Sequence, residues 1–296
     1  MAWDPGAVTG GRLRALARLV RIEHTLFSLP FAYAGALLGG VPDIKTAVLI
    51  AAAVVGLRTA AMAYNNIADL PIDARNPRTR SRPLVVGTVS LGEAWWLVVL
   101  GSALYFLAAL MLNQCAALLS PLLWLVAMSY PHAKRYHCFP HLHLGLTLGL
   151  VVLGGYVAVS GDGLWALGSV LASAPWIIVA AVALWVAGFD ILYSTMDEEF
   201  DRSVGLGSVA ACFGARAALY LSLASEAAFI GLLLAAIPAY SLGPAYALSV
   251  ATASILEVLQ FVYYRRGRLR DAFNVNLLVG LAVAAGVAAD RLLTGV

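Results

Sequence analysis

The chain has 296 residues, 61% hydrophobic and only 12% charged, with a formal net charge of +3 and a mean hydropathy of +0.85. Soluble domains carry about 25% charged residues, so a water-soluble enzyme is excluded. Apolar runs near the roughly 20 residues that cross a hydrocarbon core fill the sequence, so residues 1–296 read as one integral-membrane unit.

Residues 1–22 hold Arg12, Arg14, Arg18 and Arg21 without a cleavage-site pattern, which predicts an interfacial basic helix. Apolar windows then predict an all-α protein of nine spans, near residues 24–41, 45–69, 91–112, 114–130, 142–160, 172–195, 217–240, 243–263 and 272–293. Nine spans put the N-terminus and every second connection on one side. That side collects sixteen of the nineteen Lys and Arg residues, leaving only Arg58 within a span and Lys45 and Arg291 opposite. The positive-inside rule makes it the cytoplasmic side of a plasma membrane or an equivalent inner membrane. Cys115, Cys138 and Cys212 are odd in number and widely spaced, which predicts packing residues rather than a disulfide framework.

Two polar clusters end the second and sixth spans on the basic side. Asn65, Asp69 and Asp73 are spaced i, i+4, i+8, so a helix turns them onto one stripe, which Arg58 shares. Asp190, Asp197 and Asp201 are predicted to project from one face in the same way. Pro71 should loosen the second span and leave Asp73 on the turn that follows. A carboxylate at bilayer depth costs roughly 2.5–3.5 kcal/mol on insertion scales, so these groups need a purpose. As interfacial acids they would be neutralised by Arg75, Arg78, Arg80, Arg82 and Arg202. As a site, carboxylates and an amide oxygen suit Mg²⁺, whose shell is commonly completed by phosphate oxygens, while arginine forks suit the rest of the phosphate. Opposed clusters of this kind describe a lipid diphosphate held through Mg²⁺, with two ions bridging acids and diphosphate, and ionisation of an allylic C–O bond.

The runs RTAAMAYNNIADLPIDARNPRTRSRPL from Arg58 and DILYSTMDEEFDR from Asp190 resemble the two aspartate-rich signatures of the UbiA superfamily of intramembrane prenyltransferases. RIEHTLFSLPFAYAGALLG and SYPHAKRYHCFPHLHLGLTLG resemble its 4-hydroxybenzoate polyprenyltransferase branch. The resemblance covers residues 18–212, and the last third matches mainly by hydropathy. It implies nine transmembrane helices around a central cavity that opens sideways to lipid. It also implies Mg²⁺-diphosphate positions at Asn65, Asp69, Asp73, Asp197 and Asp201, with Tyr130 and Lys134 facing the diphosphate and Asp190 near an aromatic acceptor. Asn66 stands where the family often has an acid or arginine.

The implied partners are a polyprenyl diphosphate, a small aromatic acceptor and membrane lipid, with no nucleic acid or protein partner. Lys134, with Arg58 and Arg21, would balance the leaving diphosphate, and Asp69 and Asp197 would act through the metal. Aromatic faces stabilise an allylic cation, and Tyr64, Phe189 and Tyr193 are nearest in sequence to the acids. Asp190 would take or polarise the acceptor's phenol proton. Arg21 and Arg58 are both open as partners of a benzoate carboxylate. A glyceryl ether phosphate, haem, chlorophyllide or dihydroxynaphthoate acceptor would use the same donor motifs, and a cation-coupled transporter is the alternative from another class. His137 and His141 have a helical metal spacing that an interfacial turn explains equally well. His24 is a candidate polar contact, Trp95 and Trp96 a candidate aromatic belt, and Glu226 and Glu257 are further acids within spans.

Overall fold

A computed structural model describes residues 5–21 and 25–294; His24 lies outside the described residues. The described chain is helical and without strands: α1 (Pro5–Val20), α2 (Thr25–Gly39), α3 (Ile44–Asp73), α4 (Leu91–Leu112), α5 (Gln114–Ala133), α6 (Pro140–Ser160), α7 (Leu167–Ala172), α8 (Trp176–Ser194), α9 (Glu198–Val204), α10 (Val209–Phe213), α11 (Ala215–Ala239), α12 (Pro244–Arg265) and α13 (Leu269–Thr294). Eight of these helices are long and apolar enough to cross a membrane, and Ser28–Gly39 of α2 is a shorter apolar helix. Together these nine helices fall at the nine positions predicted for spans. One start differs: the chain from Gly161 to Pro175 forms a 3₁₀ turn (Leu164–Ala166) and α7, so the sixth span begins at Trp176 rather than near residue 172. Pro175 cannot donate to a helical ladder, and it marks the true start.

Lipid gives no hydrophobic drive between apolar helices, so close packing must hold them, and small residues permit it. The middle helix, α6, lies between α2 and α8. On its α2 side, a methyl added at Gly155 would stand 1.8 Å from the Ala32 carbonyl oxygen; on its α8 side, one at Gly145 would stand 2.1 Å from that of Ala183. The α3–α4 pair uses the same device, because a methyl added at Gly56 or Gly101 would stand 2.7 Å from the other's carbonyl oxygen. Larger side chains fill the space on the far side of α8. Trp185 stacks on Phe229 and meets Phe31 and Phe189 at ring distances of 5.2 and 5.4 Å.

The two ends of the bundle are built differently. At one end the connections are tied down tightly: Asp43 caps α3 through the Thr46 N–H, Asn113 caps α5 and donates to the Val157 carbonyl, and Arg291 donates to the Tyr240 carbonyl. These bonds satisfy the helix-end groups that lipid cannot. At the other end lie the long basic connections, and α1 packs there through Leu19 against Leu84, Val89 and Ala94, with Arg12 paired to Glu93.

Replacing Gly155 with alanine should lower the melting temperature of the detergent-solubilised protein, the overpacking costing about 1–3 kcal/mol. Gly231, in the lipid-facing part of α11 with no atom within 4 Å of an added methyl, should accept alanine with an unchanged or slightly raised melting temperature. A melting temperature lowered equally by both substitutions would contradict the packing described.

Candidate active site

The α3 helix carries its polar stripe to the end. Pro71 does not break it, because the Ala74 N–H reaches the Leu70 carbonyl at 3.1 Å and closes the last turn around the proline. Asp73 therefore stays on the helix, in register with Asn65 and Asp69, rather than on the turn beyond. The second cluster departs from one continuous helix. Ser194 and Thr195 turn their hydroxyls back onto the Ile191 and Leu192 carbonyls, each at 2.7 Å, α8 ends at Ser194, and Asp197 starts α9. Hydroxyl and carboxylate side chains that compete for backbone groups favour such breaks. The break does not scatter the acids. Asn65, Asp69, Asp73, Asp190, Asp197 and Asp201 all line one cavity of about 910 Å³ at the basic end, together with Arg21, Tyr130, Lys134 and Tyr193.

Each inner carboxylate meets a cation from another part of the chain. Lys134 Nζ lies 2.6 Å from Asp69 Oδ2 and Arg135 3.3 Å from Asp69 Oδ1, which ties α5 to α3. Arg82 reaches Asp73 at 2.5 Å. Arg78 grips Asp197 with both arms of its fork, its Nε donating at 2.9 Å, and Asn76 adds an N–H at 3.2 Å. The 74–90 connection thus links the first cluster to the second. Asp201 accepts from Ser208, and its carboxyl is pushed up to about 6 by burial first and by the neighbouring charge of Asp197 second. Asp190 stands apart on the α8 wall, where His141 Nδ1 lies 2.7 Å from its Oδ2.

Arg58 does not line this cavity. It sits about 10 Å further along α3 than Asn65, donates to Ser28 Oγ at 2.7 Å, and borders a separate small apolar cavity with Tyr105 and Ser120. Seven residues bring a side chain back to the same stripe but two turns deeper. Tyr64 also faces elsewhere, 2.9 Å from His132 Nε2 and edge-on to Trp95. Phe189 joins the Trp185 ring cluster, and Tyr193 packs edge-on against Phe273 at 5.6 Å on the cavity wall. Asn66 turns away from the cavity and donates to the Leu19 and Met62 carbonyls, holding α1 to α3. Glu226 and Glu257 are buried in α11 and α12, and neither lines the cavity.

Four lining residues, Asn76, Thr79, Ser208 and Asn274, had no signal of their own in the sequence. Three come from connections, whose fold no helical period reveals, and Asn274 sits in the weakly patterned last helix. The cysteine reading is overturned: Cys138 and Cys212 form a disulfide, and only Cys115 is a buried packing residue. Spacing could not show this, because the pair is 74 residues apart and meets only through the fold.

The oxygen-only donor set of the two clusters fits Mg²⁺ better than a softer ion. Among the described residues no three His, Cys, Asp or Glu side chains form a ready cage. This suits a metal held by one or two carboxylates at a time, with substrate oxygens completing the shell.

The UbiA prenyltransferase family model matches residues 28–285. This chain belongs to the UbiA prenyltransferase family. A 4-hydroxybenzoate octaprenyltransferase of Xanthomonas campestris pv. campestris is 33% identical over 85% of the chain and 82% of its own length, and one from Francisella tularensis subsp. novicida 30% identical over 82% and 84%. The apo structure of a UbiA homolog from Aeropyrum pernix K1 superposes with a TM-score of 0.87 at 57% identity, covering 91% of this chain and 98% of that one. A UbiA homolog from Archaeoglobus fulgidus bound to GPP and Mg²⁺ shares the fold, with a TM-score of 0.64 at 20% identity over 93% and 99% of the two chains. The chain is therefore a membrane-embedded UbiA-family prenyltransferase.

The disulfide makes one outcome measurable. Reduction, or Cys138→Ser, should lower the melting temperature, by an amount bounded at about 4.5 kcal/mol from chain entropy for so long a loop. Unchanged melting of the reduced protein would show that the bond adds nothing to stability.

Proposed function

We propose that this enzyme transfers a polyprenyl group from a polyprenyl diphosphate to the carbon of 4-hydroxybenzoate ortho to its hydroxyl. The reaction is Mg²⁺-dependent, belongs to quinone-type lipid synthesis, and takes place at the cytoplasmic face of the membrane. The observation that carries this reading is the facing of two acid clusters across a cavity rimmed by Arg78, Arg82 and Lys134, with Asp190 set apart from both. The 4-hydroxybenzoate octaprenyltransferases among its relatives support the choice of acceptor.

Asn65, Asp69 and Asp73 on one wall and Asp197 and Asp201 on the other would hold Mg²⁺, two ions in this reading. When bound, Mg²⁺ supplies positive charge to the departing diphosphate. The cations now paired with these acids, Lys134, Arg78 and Arg82, are placed to turn to the diphosphate oxygens and balance charge as the allylic C–O bond breaks. Tyr130 and Tyr193 border the space in which the allylic cation forms, and the face of Tyr193 suits it. Asp190 takes the acceptor's hydroxyl proton while the ortho carbon forms the new C–C bond. That carbon's own proton then passes to the released diphosphate, which restores the ring, and Asp190 returns the hydroxyl proton to the phenol oxygen. Arg21, in the cavity, is the partner for the benzoate carboxylate; Arg58 is too deep.

Three measurements test the assignment. Asp69→Ala and Asp197→Ala should each abolish Mg²⁺-dependent transfer in protein that still elutes as a folded species; normal turnover in either would refute the metal role. Arg21→Ala should raise KM for 4-hydroxybenzoate about tenfold or more, whereas the reverse result, an effect from Arg58→Ala alone, would move the carboxylate site. Because the Asp201 carboxyl is protonated below about 6, the Mg²⁺ concentration for half-maximal activity should climb as pH falls through 6, by up to about tenfold per pH unit, and stay flat above 7. A requirement independent of pH from 5 to 8 would remove Asp201 from the metal shell.

A further inference from the structure

His141 lies outside both acid clusters, and the chemistry above leaves it without a task. It is 3% exposed, near the start of α6, and both of its ring nitrogens are engaged. Nδ1 lies 2.7 Å from Asp190 Oδ2, and the backbone N–H of Val209 points at Nε2 from 3.2 Å. A backbone N–H can only donate, so Nε2 must present its lone pair, and the ring's single proton must sit on Nδ1. The direction of the contact to Asp190 follows: His141 donates, and Asp190 accepts.

This assignment is stable because Val209 cannot retreat. Two residues before it, the Gly207 N–H donates to the Lys134 carbonyl at 2.6 Å, and a methyl at Gly207 would stand 2.2 Å from the His137 carbonyl oxygen. Three residues after it, Cys212 is bonded to Cys138. The 207–212 segment is thus fastened on both sides to the α5–α6 connection, and Val209 itself is fully buried. A doubly protonated ring would set N–H against N–H there.

Among the described residues the Asp190 side chain has no other hydrogen-bond or ion-pair partner, and it is 27% exposed to the cavity. We propose that His141, fixed as its Nδ1–H tautomer by the Val209 N–H, is a positioning residue that occupies Oδ2 of Asp190 and so aims Oδ1 at the acceptor. A neutral donor has a second effect. It orients the carboxylate without the full positive charge of a lysine or arginine, which would weaken it as a proton acceptor. The arginine-paired acids of the metal clusters and the histidine-held acid of the acceptor side thus differ in what holds them. The proposal rests on the reading of Asp190 as the group that faces the acceptor.

The test has two parts. In lipid-reconstituted protein labelled with [15N]histidine, the difference between wild type and His141→Asn should reveal one residue with a protonated Nδ1 and a bare Nε2; a bare Nδ1, or two protonated nitrogens, overturns the tautomer. In kinetics with geranyl diphosphate, Mg²⁺ and 4-hydroxybenzoate, His141→Ala should lower kcat by about tenfold or more while KM for geranyl diphosphate is unchanged. His141→Asn, whose amide N–H can replace Nδ1–H, should recover most of the loss. Wild-type turnover by His141→Ala, or equal loss in both variants with a raised geranyl diphosphate KM, overturns the positioning role. Wild-type protein that binds no geranyl diphosphate in the presence of Mg²⁺ would instead sink the functional reading itself, so the two failures are distinguishable.

Discussion

Everything at the basic end of this protein depends on the cost of keeping ionised carboxylates out of bulk water. Asp69, Asp73 and Asp197 are mostly buried, and each is tolerable only because a lysine or arginine from a different element stands against it. Removing the cation strands the carboxylate, and because these lysine and arginine side chains are themselves 21–46% exposed, the cost falls below the roughly 3–5 kcal/mol of a fully buried pair. The pairs therefore hold separate elements together. Lys134 fastens α5 to α3, Arg82 folds the 74–90 connection back onto α3, and Arg78 carries that connection across to α9. The cavity is shaped by these charges.

That arrangement explains why the two walls are made so differently from the opposite end. There, the connections are short or locally capped, and their polar groups are consumed by helix ends. At the cavity end, the connections are long, and their side chains are spent on one another and on the acids. Glycine contacts along α6 let the bundle close tightly in its middle, so the open volume is left where the charges are.

Much of this was legible in the chain. Span positions followed from apolar length, because lipid demands it of every helix. The stripe Asn65, Asp69, Asp73 was legible because a helix enforces its own geometry, and even Pro71 could not disturb it so close to the end. The second cluster reached the cavity by a route the period did not show. Asp197 sits past a helix break made by Ser194 and Thr195, so it reaches the cavity from the start of α9 rather than from a continued α8. Arg58 shares the stripe by rotation but lies two turns deeper, beside Ser28 and a separate apolar cavity, and a helical period does not encode depth. Contacts between distant segments, such as His141 with Val209 and Cys138 with Cys212, were invisible, because nothing local in the chain encodes them.

The crosslink has a topological corollary. Joining Cys138 to Cys212 closes the intervening chain into a covalent ring that contains α6, α7, α8 and α9. A single peptide-bond scission in the exposed turn around Trp165 would leave the polypeptide in one piece, with both fragments still threaded through the bilayer and still joined beside the cavity. The oxidised protein is in this sense doubly connected across its midsection, and the reduced one is not.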